Sequence, residues 1–172
     1  MLRNLRGIFY FEALTMAKST TTKKKTLTST DSSKEIPLIK YEDKSAGQPE
    51  LVIIFNRLKA LLLPYVKGSI KQYGGEKGQM HLVSHKAIEV NGKKRPEVYF
   101  ISLLIQKGYV GFYFMPVYAF SGTKAALHPD FMKCLKGKAC FHIKQNNDQL
   151  FEQIASAIQI GYDAYLQKGW LE

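Results

Sequence analysis

The chain has two cysteines, Cys134 and Cys140, and so room for one disulfide at most. That count excludes a disulfide-built secreted scaffold and suits a reducing, cytoplasmic setting. Long apolar runs are missing as well. The longest stretch, Tyr109 to Phe120, is interrupted by Gly111 and Pro116. A bilayer span needs about 20 apolar residues, so no membrane crossing is expected. Arginine is scarce: Arg3, Arg6, Arg57 and Arg95 are the only ones among 25 cationic residues. Bidentate reading of phosphate or guanine favours the arginine fork, which weighs against sequence-specific DNA readout. Catalytic signatures are also lacking. Gly74-Gly75-Glu76-Lys77-Gly78 fits neither the P-loop nor the dinucleotide fingerprint, and there is no G-x-S-x-G elbow. The carboxylates from Glu76 to Asp163 are scattered, with no pair spaced for acid–base work. An enzyme reading has no residue to rest on.

What is present is enough for one domain. The 172 residues are 45% hydrophobic, with ten Phe and ten Tyr to build a core. The net charge is +11. Residues 1–49 carry nine Lys/Arg against five Asp/Glu, and residues 50–172 carry sixteen against nine. The globular part is therefore basic in its own right. Such a surface attracts nucleic acid, anionic lipid or an acidic partner, although lysines also serve solubility alone.

Residues 1–35 read as a tail. From Met16 to about Glu35 the chain is Lys/Thr/Ser-rich and too poor in apolar groups to offset ordering entropy, so disorder is expected. Met16 is favoured over Met1 as the natural start. The competing reading of the first residues is a targeting peptide, but no small-residue cleavage site follows a hydrophobic region. Residues 36–48 read as a linker draped on a single domain, 49–172.

Within that domain Pro49-Glu50 opens a helix. Leu51, Ile54, Phe55, Leu58, Leu61, Leu62 and Tyr65 form its apolar stripe, with Pro64 as kink or end and Gly68 as stop. Gly74, Gly75 and Gly78 read as a loop. Three strands are expected at 81–90, 97–106 and 109–118, joined by Asn91-Gly92 and Lys107-Gly108 as an antiparallel meander. Tyr99, Ile101, Leu103 and Ile105 are expected on one face. Residues 119–136 read as loop and short helix, and 139–143 as a fourth strand. Asn146, with Gln149 three residues on, caps a last helix. Its stripe is Leu150, Phe151, Ile154, Ile158, Tyr162, Tyr165 and Leu166. The class is α+β: a small antiparallel sheet, a three-strand meander plus a fourth strand, packed by an N-terminal and a C-terminal helix on one face.

Two residue sets could carry chemistry. His128, Cys134, Cys140 and His142 supply the ligand count of tetrahedral zinc. Five residues separate the cysteines, which matches no zinc ribbon or finger. Cys140 and His142 share a strand face about 6.6 Å apart, but the other two would have to fold over them. Burial of both thiols in the core is the preferred reading, and no metal is expected. His81 and His85 do not form a zinc-protease pair, since a strand holds them about 13 Å apart and Leu82 stands where the glutamate base belongs. The second set lies in Lys107-Gly108-Tyr109-Val110-Gly111-Phe112-Tyr113-Phe114, which is similar to an RNA-recognition signature. Four fixed positions match, but Gly111 replaces the central stacking aromatic, and a hairpin stands where that fold needs a helix. Ordinary strand aromatics are the preferred reading. Lys107, Tyr109, Tyr113 and Tyr118 remain candidates for stacking on single-stranded nucleic acid.

The strand Gly111-Phe112-Tyr113-Phe114, the turn Lys136-Gly137-Lys138, the alternation of Phe141 and Ile143, and the helix from Gln149 carry a family likeness. Over roughly residues 50–168 the chain resembles the YdhG-like domains, a bacterial family of unknown function. The resemblance implies a compact α+β fold. One branch of that family is described as a frataxin-like iron chaperone, which implies an iron-binding role. No iron ligand carries over residue by residue. The carboxylates are dispersed, and the family's tryptophan motif after the first helix is replaced by Gln72-Tyr73-Gly74-Gly75, Trp170 being the only Trp. The functional expectation is a non-catalytic cytoplasmic module that binds a small ligand or partner. The alternatives are an iron or zinc carrier and a single-stranded nucleic-acid binder.

Overall fold

Proline lacks the amide that a first helical turn leaves unpaired, and a glutamate beside it meets the positive end of the helix dipole. Pro49 and Glu50 accordingly begin α1, Pro49–Leu62. Leu51, Ile54, Phe55, Leu58 and Leu62 bury its inner stripe. Pro64 does not kink the helix but sits in a single 3₁₀ turn after it, Leu63–Tyr65. The computed structural model describes residues 41–90 and 92–172. The expected tail, the Met16 start and residues 36–40 of the linker lie outside them. Residues 41–48 run along one end of the sheet: the Tyr41 hydroxyl donates to the Ile105 carbonyl at 2.7 Å, and the Gly108 amide donates to Gln48 Oε1 at 2.7 Å.

Seven strands follow among the described residues: β1 Ile70–Glu76, β2 Gln79–Ser84, β3 Ile88–Val90, β4 Lys93–Arg95, β5 Val98–Gln106, β6 Tyr109–Phe114 and β7 Cys140–Ile143. Five of them form one antiparallel sheet in the order β1-β2-β5-β6-β7, and β3 pairs with β4 as a separate ribbon. The mixed helix-and-strand class holds, but the strand reading needs four corrections.

The glycines at 74 and 75 mark a strand rather than a loop. They lie in β1, where φ values of 70° and 119° and a register shift make an irregular edge strand. The real turn is Lys77-Gly78, both at positive φ (50° and 70°), as a tight hairpin of this hand requires. The expected strand 81–90 is two strands, because the chain leaves the sheet after Ser84 and β3 turns back on β4. The strand 109–118 ends at Phe114. Pro116 cannot donate to a ladder and instead occupies the first turn of α2, Met115–Ala119, so Tyr118 is helical. Finally, a bulge in β2–β5 pairs Leu82 with Ile101 but Val83 with Tyr99. Tyr99 is thereby turned away from Ile101 and Leu103, and Phe100 faces the core in its place.

Register puts Met80, Leu82, Ile101, Leu103, Phe112, Phe114 and Phe141 on one inner face, all fully buried. Helices cover this face. Besides α2 they are α4 Pro129–Met132 and α5 Asp148–Gln167, while α3 Ser121–Ala126 packs on α2 and α5. Phe131 of α4 stacks on Phe141 at 4.2 Å, and Tyr165 of α5 meets Phe100 at 5.2 Å. α1 lies against β5 and β6. The α5 cap is one residue later than expected: Asn147 Oδ1 accepts from the Leu150 amide at 2.9 Å, while Asn146 takes a hydrogen bond from Arg57. Ala157 and Gly161 join the buried stripe of α5, and Leu166 is exposed.

Candidate anion-binding site at the sheet edge

Alternation sends the remaining strand residues to the outer face. There His81 of β2 lies opposite Ser102 of β5, with Nδ1 2.9 Å from Oγ. A serine beside a histidine is the chemistry of a nucleophile and its base. This pair is closed to substrate: His81 is 1% exposed and Ser102 is buried. Burial also lowers the His81 pKa to about 4, so the ring is neutral at pH 7. Its Nε2 is buried without a hydrogen-bond partner.

Exposure increases toward β7. Gly111 pairs with His142 and Tyr113 with Cys140. Tyr109, two residues before Gly111 on the same face of β6, stacks its ring on His142 with centroids 3.7 Å apart and planes 10° from parallel. Gly111 makes room for this row. A Cβ there would lie 2.9 Å from Tyr113 Cε2, so the Tyr113 ring leans over the glycine. The Tyr113 hydroxyl bonds Cys140; burial raises the pKa of both groups, and the hydrogen bond raises the tyrosine's further while moderating the thiol's.

Beyond β7 the chain from 134 to 136 extends the edge. The His142 amide donates to the Cys134 carbonyl at 2.8 Å and the Lys136 amide to the Cys140 carbonyl at 2.7 Å, flanking a Leu135–Phe141 bridge. Cys134 is therefore beside His142, and Lys136 beside Cys140. Burial lowers the His142 pKa, and Lys144 and Lys136 lower it further. Burial raises that of Cys134.

The fold thus gathers three of the four metal candidates, Cys134, Cys140 and His142, at one edge. His128 is elsewhere: its Nδ1 accepts from the Asp130 amide at 3.2 Å and caps α4. Among the described residues no group of three His, Cys, Asp or Glu is arranged to hold a metal ion. Both cysteines are half-buried free thiols. Of the stacking candidates, Tyr109 and Tyr113 share the outer face of β6, Lys107 is exposed in the turn before it, and Tyr118 is on α2.

Sequence reasoning missed Lys136, Lys138 and Lys144, treating the first two only as a turn. All three are exposed in the segment that flanks and follows β7. A signal was available. Residues 98–147 hold six lysines and a single carboxylate, Asp130. That carboxylate is taken by Lys133, 2.6 Å away. No helix among the described residues is long and apolar enough to cross a membrane. The chain matches no protein-family model, no curated protein and no solved structure among those compared.

Proposed function

We propose that this chain is a YdhG-like α+β module that binds an anionic partner, without turning it over, at the β6–β7 edge of its sheet. The observation that carries this reading is the charge of residues 98–147. Their lone carboxylate is already paired, while Lys107, Lys136, Lys138 and Lys144 are exposed around the edge that holds Tyr109 and His142. Cations gathered in one patch raise the local potential, and an anion relieves it. The depressed His142 pKa, with Lys144 and Lys136 among its causes, fits that potential. A binding rather than catalytic role is supported by thiols held toward the protonated form and by the closure of the His81–Ser102 pair.

The test is a titration of ¹⁵N-labelled protein with a short heparin fragment at low and high salt. Shift changes are expected along residues 107–111 and 134–144, disappearing at high salt and in the K136E/K138E/K144E variant. Absence of binding at low salt, or binding that the charge reversal leaves intact, overturns the reading.

A further inference from the structure

Resting on that anion-binding reading, we infer that the partner is a single-stranded nucleic acid, whose bases stack on the Tyr109–His142 platform while its phosphates follow the surrounding lysines. The geometry distinguishes this ligand from other polyanions. A polysaccharide or an acidic peptide needs charge alone. Here two aromatic rings lie parallel at 3.7 Å in the middle of the lysine fringe, the spacing and tilt at which a third ring extends a stack. Both residues keep part of their surface exposed to solvent.

The fringe has the right character for a backbone. It is made of lysine, a flexible point charge, and not of the arginine fork that reads one base or phosphate in a fixed orientation. Lys107 precedes Tyr109 across the β5–β6 turn. Lys144 directly follows β7, Lys136 is beside Cys140, and Lys138 is in the turn that feeds β7. These residues flank the platform along the strands and on the side where residues 134–136 pair with β7, as a strand of phosphates passing over it requires. Between Tyr109 and Tyr113 on the outer face of β6, Gly111 leaves the room that the Tyr113 ring takes. A duplex buries its base faces in its own stack, whereas a single strand offers them. The site therefore takes unpaired nucleotides with little sequence preference.

Binding is measured by fluorescence anisotropy with two labelled probes of equal charge, a 12-nucleotide oligo(dT) and a 12-residue abasic phosphodiester. Oligo(dT) is expected to bind about 5- to 100-fold more tightly than the abasic strand, the range that stacking of one base supplies. With up to four lysines on phosphates, log affinity falls against log salt with a slope of about −2 to −3. Tyr109→Ala abolishes the preference and leaves abasic binding, whereas Tyr109→Trp preserves it. Equal wild-type affinity for the two strands overturns base stacking and leaves the anion module standing. Absence of binding to either strand, with heparin still bound, overturns the nucleic-acid assignment. If heparin fails as well, the underlying reading falls too. Should Tyr109→Ala not fold, the two-probe comparison on the wild type and on Tyr109→Trp still decides.

Discussion

His81 is enclosed on the middle strands of the sheet, with one ring nitrogen on Ser102 and the other without a partner. Charging it would strand a cation in a low-dielectric interior, so the folded chain resists protonation until about pH 4, against 6.5 for an ordinary histidine. Between those values the unfolded state holds more protons than the folded one, and stability therefore rises with pH across the interval. At about 1.4 kcal/mol per unit, the gap corresponds to roughly 3 kcal/mol lost on acidification from pH 7 to pH 4. His142, lowered for related reasons, adds to the same trend. His81→Gln keeps a partner for Ser102 and cannot charge. Urea unfolding at intervals from pH 7 to pH 4 should show the variant losing much less stability than the wild type; parallel curves would remove His81 as the cause. The sequence showed this histidine only as a strand residue. Its burial is a property of register, and that is where single-residue reading stops.

Elements were legible where one periodicity ruled and obscure where two competed. The stripes of α1 and α5 and the hairpin at Lys107-Gly108 were readable because propensity, turn residues and burial all agree there. β1 was not, since its paired glycines are loop residues by local preference and an edge strand by tertiary pairing. The β2–β5 bulge was hidden for another reason: it moves Tyr99 across the sheet without leaving a mark in composition. The edge site suffered the same way. Tyr109 and His142 are 33 positions apart in sequence, and only the β6–β7 register makes them one platform. Close approach between elements is also hidden in a sequence, and Gly161 of α5 shows its cost. A Cβ at 161 would come within 2.6 Å of Phe114 Cε2 and 2.8 Å of Pro116 Cγ. Alanine is the better helix former by about 1 kcal/mol, but forcing a methyl against a fully packed sheet costs about 1–3 kcal/mol. Gly161→Ala is therefore expected to be neutral to about 2 kcal/mol less stable in urea unfolding. A clear gain in stability would mean that α5 is not seated as closely on Phe114 as the geometry states.

At the scale of the whole molecule, charge opposes compactness. Folding brings Lys136, Lys138 and Lys144 to the segment that flanks and follows β7, with Lys107 in the turn before β6, so this patch repels itself in the native state and less in the extended chain. Function and stability are then in tension at the same residues. The K136E/K138E/K144E variant should melt at the same or a higher temperature than the wild type at low ionic strength, while losing anion binding. Heparin, by binding the folded patch, should raise the wild-type melting temperature at low salt by linkage, and should do little for the variant. Added salt should narrow the gap between the two proteins, because at 0.15 M screening acts over about 8 Å and these side chains are exposed. Differential scanning fluorimetry across salt and heparin concentrations measures all three. A wild type that is the more stable protein at low salt would show the lysines serving the fold through contacts of their own. The basic edge would then be a structural feature, and the anion would have to be sought elsewhere on the molecule.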